Sequence, residues 1–253
     1  MNPTIAVYSL FSLLGYFNII IAASIPADVE STPSYDRVIG GSHVLLKDHP
    51  YQVSVHYSSS PICAGSIISK SFILTAAYCV LQKSASRYSI RAGSIFQDSD
   101  GVVKSAKRIY VSPKYNPKTS DSDIALISLK SALNFGENIN AVSLPSPKRK
   151  IPAGTAVNTT GWGEGIYNYR LRGFIVPVVS KSQCQKSYKL TSTMLCAGSS
   201  VEHRSTCQGQ SGGPLVSNRY GQVGVVSFGS GCSYRVYSSV PALRKWIKSV
   251  SGV

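Results

Sequence analysis

The residues of this 253-residue chain best suited to chemistry are six cysteines, four histidines, an Asn-X-Thr sequence and a few charge clusters. The cysteines are Cys63, Cys79, Cys184, Cys196, Cys207 and Cys232. Their even number fits disulfide formation in an oxidising compartment, and spacing alone leaves about fifteen pairings open. No two stand in a CxxC arrangement, so no zinc or other metal site is expected. Asn158-Thr159-Thr160 is an N-glycosylation sequon on a strand expected ahead of Gly161-Trp162-Gly163, a position that counts against its being used. Asp98-Ser99-Asp100-Gly101 holds two acids of a calcium loop but lacks the rest, and reads as a solvated turn. Lys148-Arg149-Lys150 follows Pro147 in a loop; it reads as a solvated basic loop, with a heparin-type contact as the alternative.

Three separated runs resemble the signature motifs of the trypsin-like serine proteases. Thr75 to Cys79 reads TAAYC against the family's TAAHC, and Asp123 to Leu126 reads DIAL. Cys207 to Pro214 reads CQGQSGGP against CQGDSGGP. Supporting matches, in the family's order, are RVIGG from Arg37, GWG from Gly161, VPVVS from Val176, MLCAG from Met194 and VSFGSGC from Val226. The resemblance implies an all-β chain of two packed antiparallel six-stranded β-barrels, with the active site in the cleft between them. It also selects the pairs Cys63–Cys79, Cys184–Cys196 and Cys207–Cys232.

In active relatives a serine attacks the carbonyl, a histidine takes its proton and a buried aspartate orients the imidazole. The resemblance puts Ser211 and Asp123 at two of these positions. Tyr78 stands where the histidine belongs. A phenol titrates near ~10, so at neutral pH it is protonated and cannot accept the serine proton. Loss of the base from a subtilisin triad costs roughly a million-fold in rate. His43, His49, His56 and His203 align with surface loops or strand ends away from the triad, and read as solvated or structural. The resemblance thus implies a disabled catalytic site.

Gln210 replaces the aspartate that in active members pairs with the ammonium group freed by activation. Cleavage after Arg37 would free Val38. Gln210 could accept its hydrogen bond but offers no counter-charge, and a buried unpaired cation is costly. Either Val38 stays out and the oxyanion donors, the backbone N–H groups of Gly209 and Ser211, are poorly organised, or the loop folds regardless. In the specificity pocket Ser205 stands where a trypsin carries its aspartate, as in apolar-preferring members. The strand Ser227-Phe228-Gly229 could pair with a peptide by β-addition. The loop Ser233 to Tyr237 is shorter than the family's; Tyr234 or Arg235 projects into the pocket, or both lie in solvent.

The elements that must position these residues follow from pattern. Gln52 with its neighbours Tyr51 to Val55, then Ser66–Ile68, Phe72–Leu74, Ile124–Ile127, Phe174–Val179 and Val223–Phe228, are short runs rich in Val, Ile and aromatics, bounded by turn residues. Many short strands with Gly and Pro turns indicate a β-sandwich or barrel. Val240, Leu243, Ile247 and Val250 recur at helical spacing and predict one closing amphipathic helix. Asn134 to Pro147 reads as a connector between two halves.

Residues 4 to 23 carry no charge and are strongly apolar, ending in Ala22-Ala23-Ser24. That is the layout of a secretory signal peptide; an uncleaved anchor is the alternative, and the cysteine pattern favours cleavage. The expected organisation is a signal peptide over 1–23, a propeptide over 24–37 and a protease-like domain over 38–253, secreted and extracellular. The chain's net charge is +15, and +17 from Val38 onward. It favours acidic partners such as sulfated glycans or acidic protein surfaces; nucleic acid and, after signal cleavage, membrane are not expected. No cofactor is expected.

The combined reading is a secreted pseudoprotease that binds proteins. An active endopeptidase working by a non-standard site is the alternative, and a glycan-binding basic module a third. LTAAYC and the run from Ser84 to Arg91 are similar to the group 3 mite allergens, and among those to the inactivated protease paralogues of the scabies mite. That resemblance implies interference with host defence proteins such as complement.

Overall fold

The computed structural model describes residues 42–81, 84–162, 170–199, 210–229 and 234–253. The expected leader and propeptide, the Arg37–Val38 bond, His203, Ser205, Gly209 and the Cys207–Cys232 pair lie outside these residues.

A two-residue strand, β1 (Ser42–His43), precedes the first barrel. The barrel comprises β2 (Gln52–Tyr57), β3 (Ser60–Ser69), β4 (Phe72–Thr75), β5 (Tyr88–Ala92), β6 (Val102–Val111) and β7 (Ala125–Leu129). They close in the order β2-β3-β4-β7-β6-β5, every pair antiparallel. After a connector containing no strand, β8 (Ala156–Gly161), β9 (Arg172–Val179), β10 (Met194–Gly198), β11 (Pro214–Ser217), β12 (Gly221–Phe228) and β13 (Tyr234–Ser239) form the second barrel. Its order is β8-β9-β10-β13-β12-β11, with β11 returning to β8 and β1 added at the edge of β9.

Period-two burial explains the strands. In β5, Tyr88, Ile90 and Ala92 point inward while Ser89 and Arg91 are less buried. In β9, Phe174, Val176 and Val178 are buried and Ile175 and Pro177 are exposed. Strand β7 has both faces covered, and all five of its residues are buried. Val53, Val55, Ile67, Ile73, Leu74, Ile90, Leu126 and Ile127 fill the first barrel, and Val157, Val176, Leu215, Val223, Val226 and Tyr237 the second.

Helix α1 (Lys181–Cys184) is short and capped by Ser180, whose hydroxyl accepts from the Gln183 N–H. Its Cys184 pairs with Cys196 on β10, and Cys63 on β3 pairs with Cys79. Helix α2 (Val240–Ser251) has Pro241 in its first turn and ends at Gly252, whose φ of 75° suits a left-handed cap. The buried side chains of Val240, Leu243 and Ile247 join the same apolar cluster as the first barrel. The closing helix expected from the sequence is therefore present and docks as its stripe dictates.

The loop expected over Ser233 to Tyr237 is corrected: from Tyr234 the chain is strand β13, paired on one side with β10 and on the other with β12. Val236 and Tyr237 are fully buried there.

The two barrels meet partly through polar contacts. Ser66 Oγ donates to Gln222 Oε1 at 2.7 Å, and Thr160 Oγ1 donates to Gln52 Oε1 at 2.5 Å. All four side chains are buried, so each bond satisfies groups that water cannot reach.

Candidate active site

The site is built where the loop before β7, the short turn after β4 and the turn before β11 come together. Asp123 ends the loop before β7 and is 1% exposed. Its Oδ1 accepts the backbone N–H of Tyr78 at 3.0 Å, and its Oδ2 accepts the Ser227 hydroxyl at 2.6 Å. Its carbonyl accepts the Ser238 hydroxyl at 2.6 Å. Tyr78 and Ser227 belong to opposite barrels, so one carboxylate spans the cleft. Burial pushes the Asp123 carboxyl above the usual range, opposed by the Ser227 hydroxyl and the N–H groups of Tyr78 and Ala77.

Ser211 follows Gln210 in a tight turn in which the Gly213 N–H donates to the Gln210 carbonyl at 2.9 Å. Gly212 has φ of 78°, the third-position geometry of a type II turn, which only glycine adopts without strain. There is no room for a side chain either: a Cβ on Gly212 would lie 2.3 Å from Thr75 Oγ1 and 2.5 Å from the Ala64 carbonyl. The Ser211 carbonyl accepts the Ala64 N–H, and the Gly212 N–H donates to the Val226 carbonyl. Val226 immediately precedes Ser227, so the serine turn is fastened to the strand that also holds Asp123.

Tyr78 begins a short 3-10 turn, Tyr78–Val80, locked by the Cys63–Cys79 disulfide. Tyr78 is 38% exposed. A hollow of about 250 Å3 lies beside it, lined by Tyr57, Ile62, Cys63, Tyr78, Cys79 and Leu81. Ile62 and Leu81 are also exposed, at 40% and 51%. The Arg87 guanidinium stacks 4.4 Å over the Tyr57 ring at its rim.

Two of the histidines are more buried than surface loops or strand ends would make them. His49 is buried with Nδ1 3.0 Å from the Tyr51 hydroxyl, and burial lowers its pKa. His56 is buried on β2, bonded to the Ser54 hydroxyl and to the carbonyls of Ser59 and Gln97. His43 is exposed on β1. The hydrogen bonds of His49 and His56 all run to residues other than Asp123 and Ser211.

On the pocket side, Ser227 is buried with its hydroxyl committed to Asp123, a role beyond the peptide-pairing one expected of it. Phe228 is half-buried against Tyr188, edge to face at 5.9 Å. Arg235 lies against Gly229, where a Cβ would meet Arg235 Cγ at 3.1 Å. Tyr234 turns away, its hydroxyl accepting from Gln183 Nε2 at 2.7 Å. Of the two residues expected near the pocket wall, Arg235 alone borders Gly229 with its side chain.

The sequence model of the family described as Trypsin matches residues 38–247, a span that contains this constellation. The chain belongs to the trypsin family. It is 41% identical over 228 residues to trypsin delta of Drosophila melanogaster, covering 84% of this chain and 88% of that one. It is 36% identical over 250 residues to the vitellin-degrading protease of Bombyx mori, covering 93% of each. It is 35% identical to trypsin 5G1 of Aedes aegypti, covering 87% of each.

As a trypsin-family member the chain has the two-barrel frame, with Ser211 in a tight turn and Asp123 buried. Gln210 Oε1 is buried without a hydrogen-bond donor among the described residues. Ser238 and the Ala77 N–H escaped the sequence reading, because an isolated serine and a backbone group carry no pattern. Tyr115 also approaches the site: burial, with lesser contributions from Asp123 and Tyr78, raises its pKa.

Proposed function

We propose that this trypsin-family chain is a secreted pseudoprotease, which keeps the scaffold and serves by binding proteins rather than cutting them. The single observation that carries the reading is Tyr78. Its backbone N–H takes the Asp123 carboxylate from the position where the resemblance calls for a histidine, and its side chain is a phenol. A phenol with a reference pKa near ~10 holds its proton at neutral pH, so Ser211 has no base and behaves as an ordinary alcohol. Gln210 adds support. Its buried Oε1 is neutral and cannot balance an inserted ammonium, which weakens any charge-driven ordering of the oxyanion donors.

Binding is supported by the exposed apolar group around Tyr78. Ile62, Tyr78 and Leu81 surround a hollow beside the cleft, and the net charge of +15 suits an acidic partner surface. Host defence proteins such as complement, and acidic glycans, are the partner classes proposed. Secretion is proposed from the apolar leader.

The test is hydrolysis of a panel of short peptide esters by protein beginning at Val38, alongside Tyr78→His and the Tyr78→His/Gln210→Asp double variant. The expected result is no turnover by the natural protein and recovery of turnover in the double variant. Turnover by the natural protein that vanishes in Ser211→Ala would make it an endopeptidase working by a non-standard site, and the proposal would be withdrawn.

A further inference from the structure

We infer that Asn158 is an N-glycosylation site, and that the innermost sugar of its glycan sits in the hollow formed by β8, β9 and β11. The inference is independent of whether the chain cuts peptides. Asn158-Thr159-Thr160 is the only Asn-X-Ser/Thr sequon without a central proline in the sequence. Its place within a strand counts against use only if the asparagine faces the barrel interior, and it faces outward.

The register settles the face. Asn158 pairs with Ile175 on β9 and with Val216 on β11. Directly opposed residues in an antiparallel sheet share a face, and Ile175 is 75% exposed. The flanking Val157 and Thr159 point the other way and are buried. Asn158 Oδ1 is buried without a donor among the described residues, and a Cβ on Gly173 would lie 3.3 Å from it. Asn158, whose Nδ2 is the atom that carries a glycan, itself lines the hollow on that face.

That hollow has a volume of about 300 Å3 and is lined by Asn158 with Thr155, Ile175, Val216, Asn218 and Arg219 among others. Its chemistry suits an N-acetylglucosamine. Ile175 and Val216 offer an apolar surface to the pyranose face and acetyl methyl, while Asn218 and Arg219 offer polar groups to the hydroxyls. Ile175, directly opposite Asn158, is 75% exposed, and a sugar ring on Asn158 would cover it.

The Thr160 hydroxyl, which the glycosylating enzyme must reach, is buried in the fold and donates to Gln52. Attachment therefore precedes docking of β8 against the first barrel, as expected for a modification made while the chain enters the secretory lumen.

The test uses the full chain expressed in a mammalian secretory line, with cell lysate and medium both examined. Intact-mass measurement is made before and after treatment with peptide-N-glycosidase. The expected result is one glycan on the wild type and on Thr160→Ser, and none on Asn158→Gln. On the native protein, Ile175→Ser should release the glycan several-fold faster than wild type, because the seat beneath the sugar is lost. An unmodified mass in both fractions would overturn the site. A glycan present but released equally fast from wild type and Ile175→Ser would overturn the seat.

Discussion

Replacing Ser227 by alanine tests how Asp123 is held. The hydroxyl donates at 2.6 Å to a carboxylate oxygen that is buried with the rest of its residue. No water can replace it without entering the contact between the barrels, while the Tyr78 N–H remains on the other oxygen. A hydrogen bond to a charged group contributes about 1.5–3 kcal/mol, so the loss at pH 7 should be about 2 kcal/mol. Measured by urea unfolding of disulfide-intact protein, with a slope of about 2–3 kcal/mol per molar, the midpoint should fall by about 0.7–1 M. The loss should also depend on pH. Asp123 already titrates above its ordinary range because it is buried, so its contribution to stability is greatest at acid pH and falls as pH rises through that raised value. Alanine raises the value further and extends the fall. The difference between the two proteins is thus full at neutral pH and shrinks at acid pH, where only a neutral hydrogen bond of about 0.5–1.5 kcal/mol is at stake. A midpoint shift under a third of the expected one, or a shift of equal size at both pH extremes, would refute the assignment of Ser227 as the hydroxyl that stabilises this charge.

Gly212→Ala should destabilise by at least about 2–3 kcal/mol, combining strain at positive φ with overpacking against Thr75 and the Ala64 carbonyl; thermal unfolding would read it, and a loss under about 1 kcal/mol would mean the turn relaxes. Leu126→Ala, in fully buried β7, should cost about 2–5 kcal/mol in urea unfolding without altering the far-ultraviolet spectrum of the folded state. Tyr237, entirely buried on β13, should ionise only at about 12, and burial pushes Tyr51 up further still, so ultraviolet titration of the native protein should show at least two phenols withheld and released on unfolding.

The fold was largely legible because it rests on period-two patterning and punctuation. Phe72–Leu74, Ile124–Ile127 and Val223–Phe228 announce β4, β7 and β12 through runs of Val, Ile and Phe that can only be buried. Strand lengths were less legible. β2 and β3 run on through a two-residue hairpin at Ser58 and Ser59, both at positive φ, where the usual Asn or Gly signal is missing. β6 carries Lys104, Ser105, Lys107 and Arg108 through its middle and owes its pairing to its neighbours β5 and β7. β13 looked like a loop because Ser, Tyr and Arg have no clear alternation; partners on both sides make it a strand.

For the site, the sequence by itself determined which chemical groups are present: a serine in a glycine-rich turn, an aspartate after a polar loop, and a phenol at Tyr78. Those are covalent facts, fixed before the chain folds. What only the tertiary structure decided is where each group spends its hydrogen bonds. Asp123 draws Ser227 and Ser238 from one barrel and Tyr78 from the other, contacts separated by more than forty residues in the chain. The outward face of Asn158 and the burial of His49 and His56 are likewise matters of register and packing. Side-chain identity is local to the chain, whereas burial and hydrogen-bond partnership belong to elements brought together from distant parts of it, and only their packing settles them.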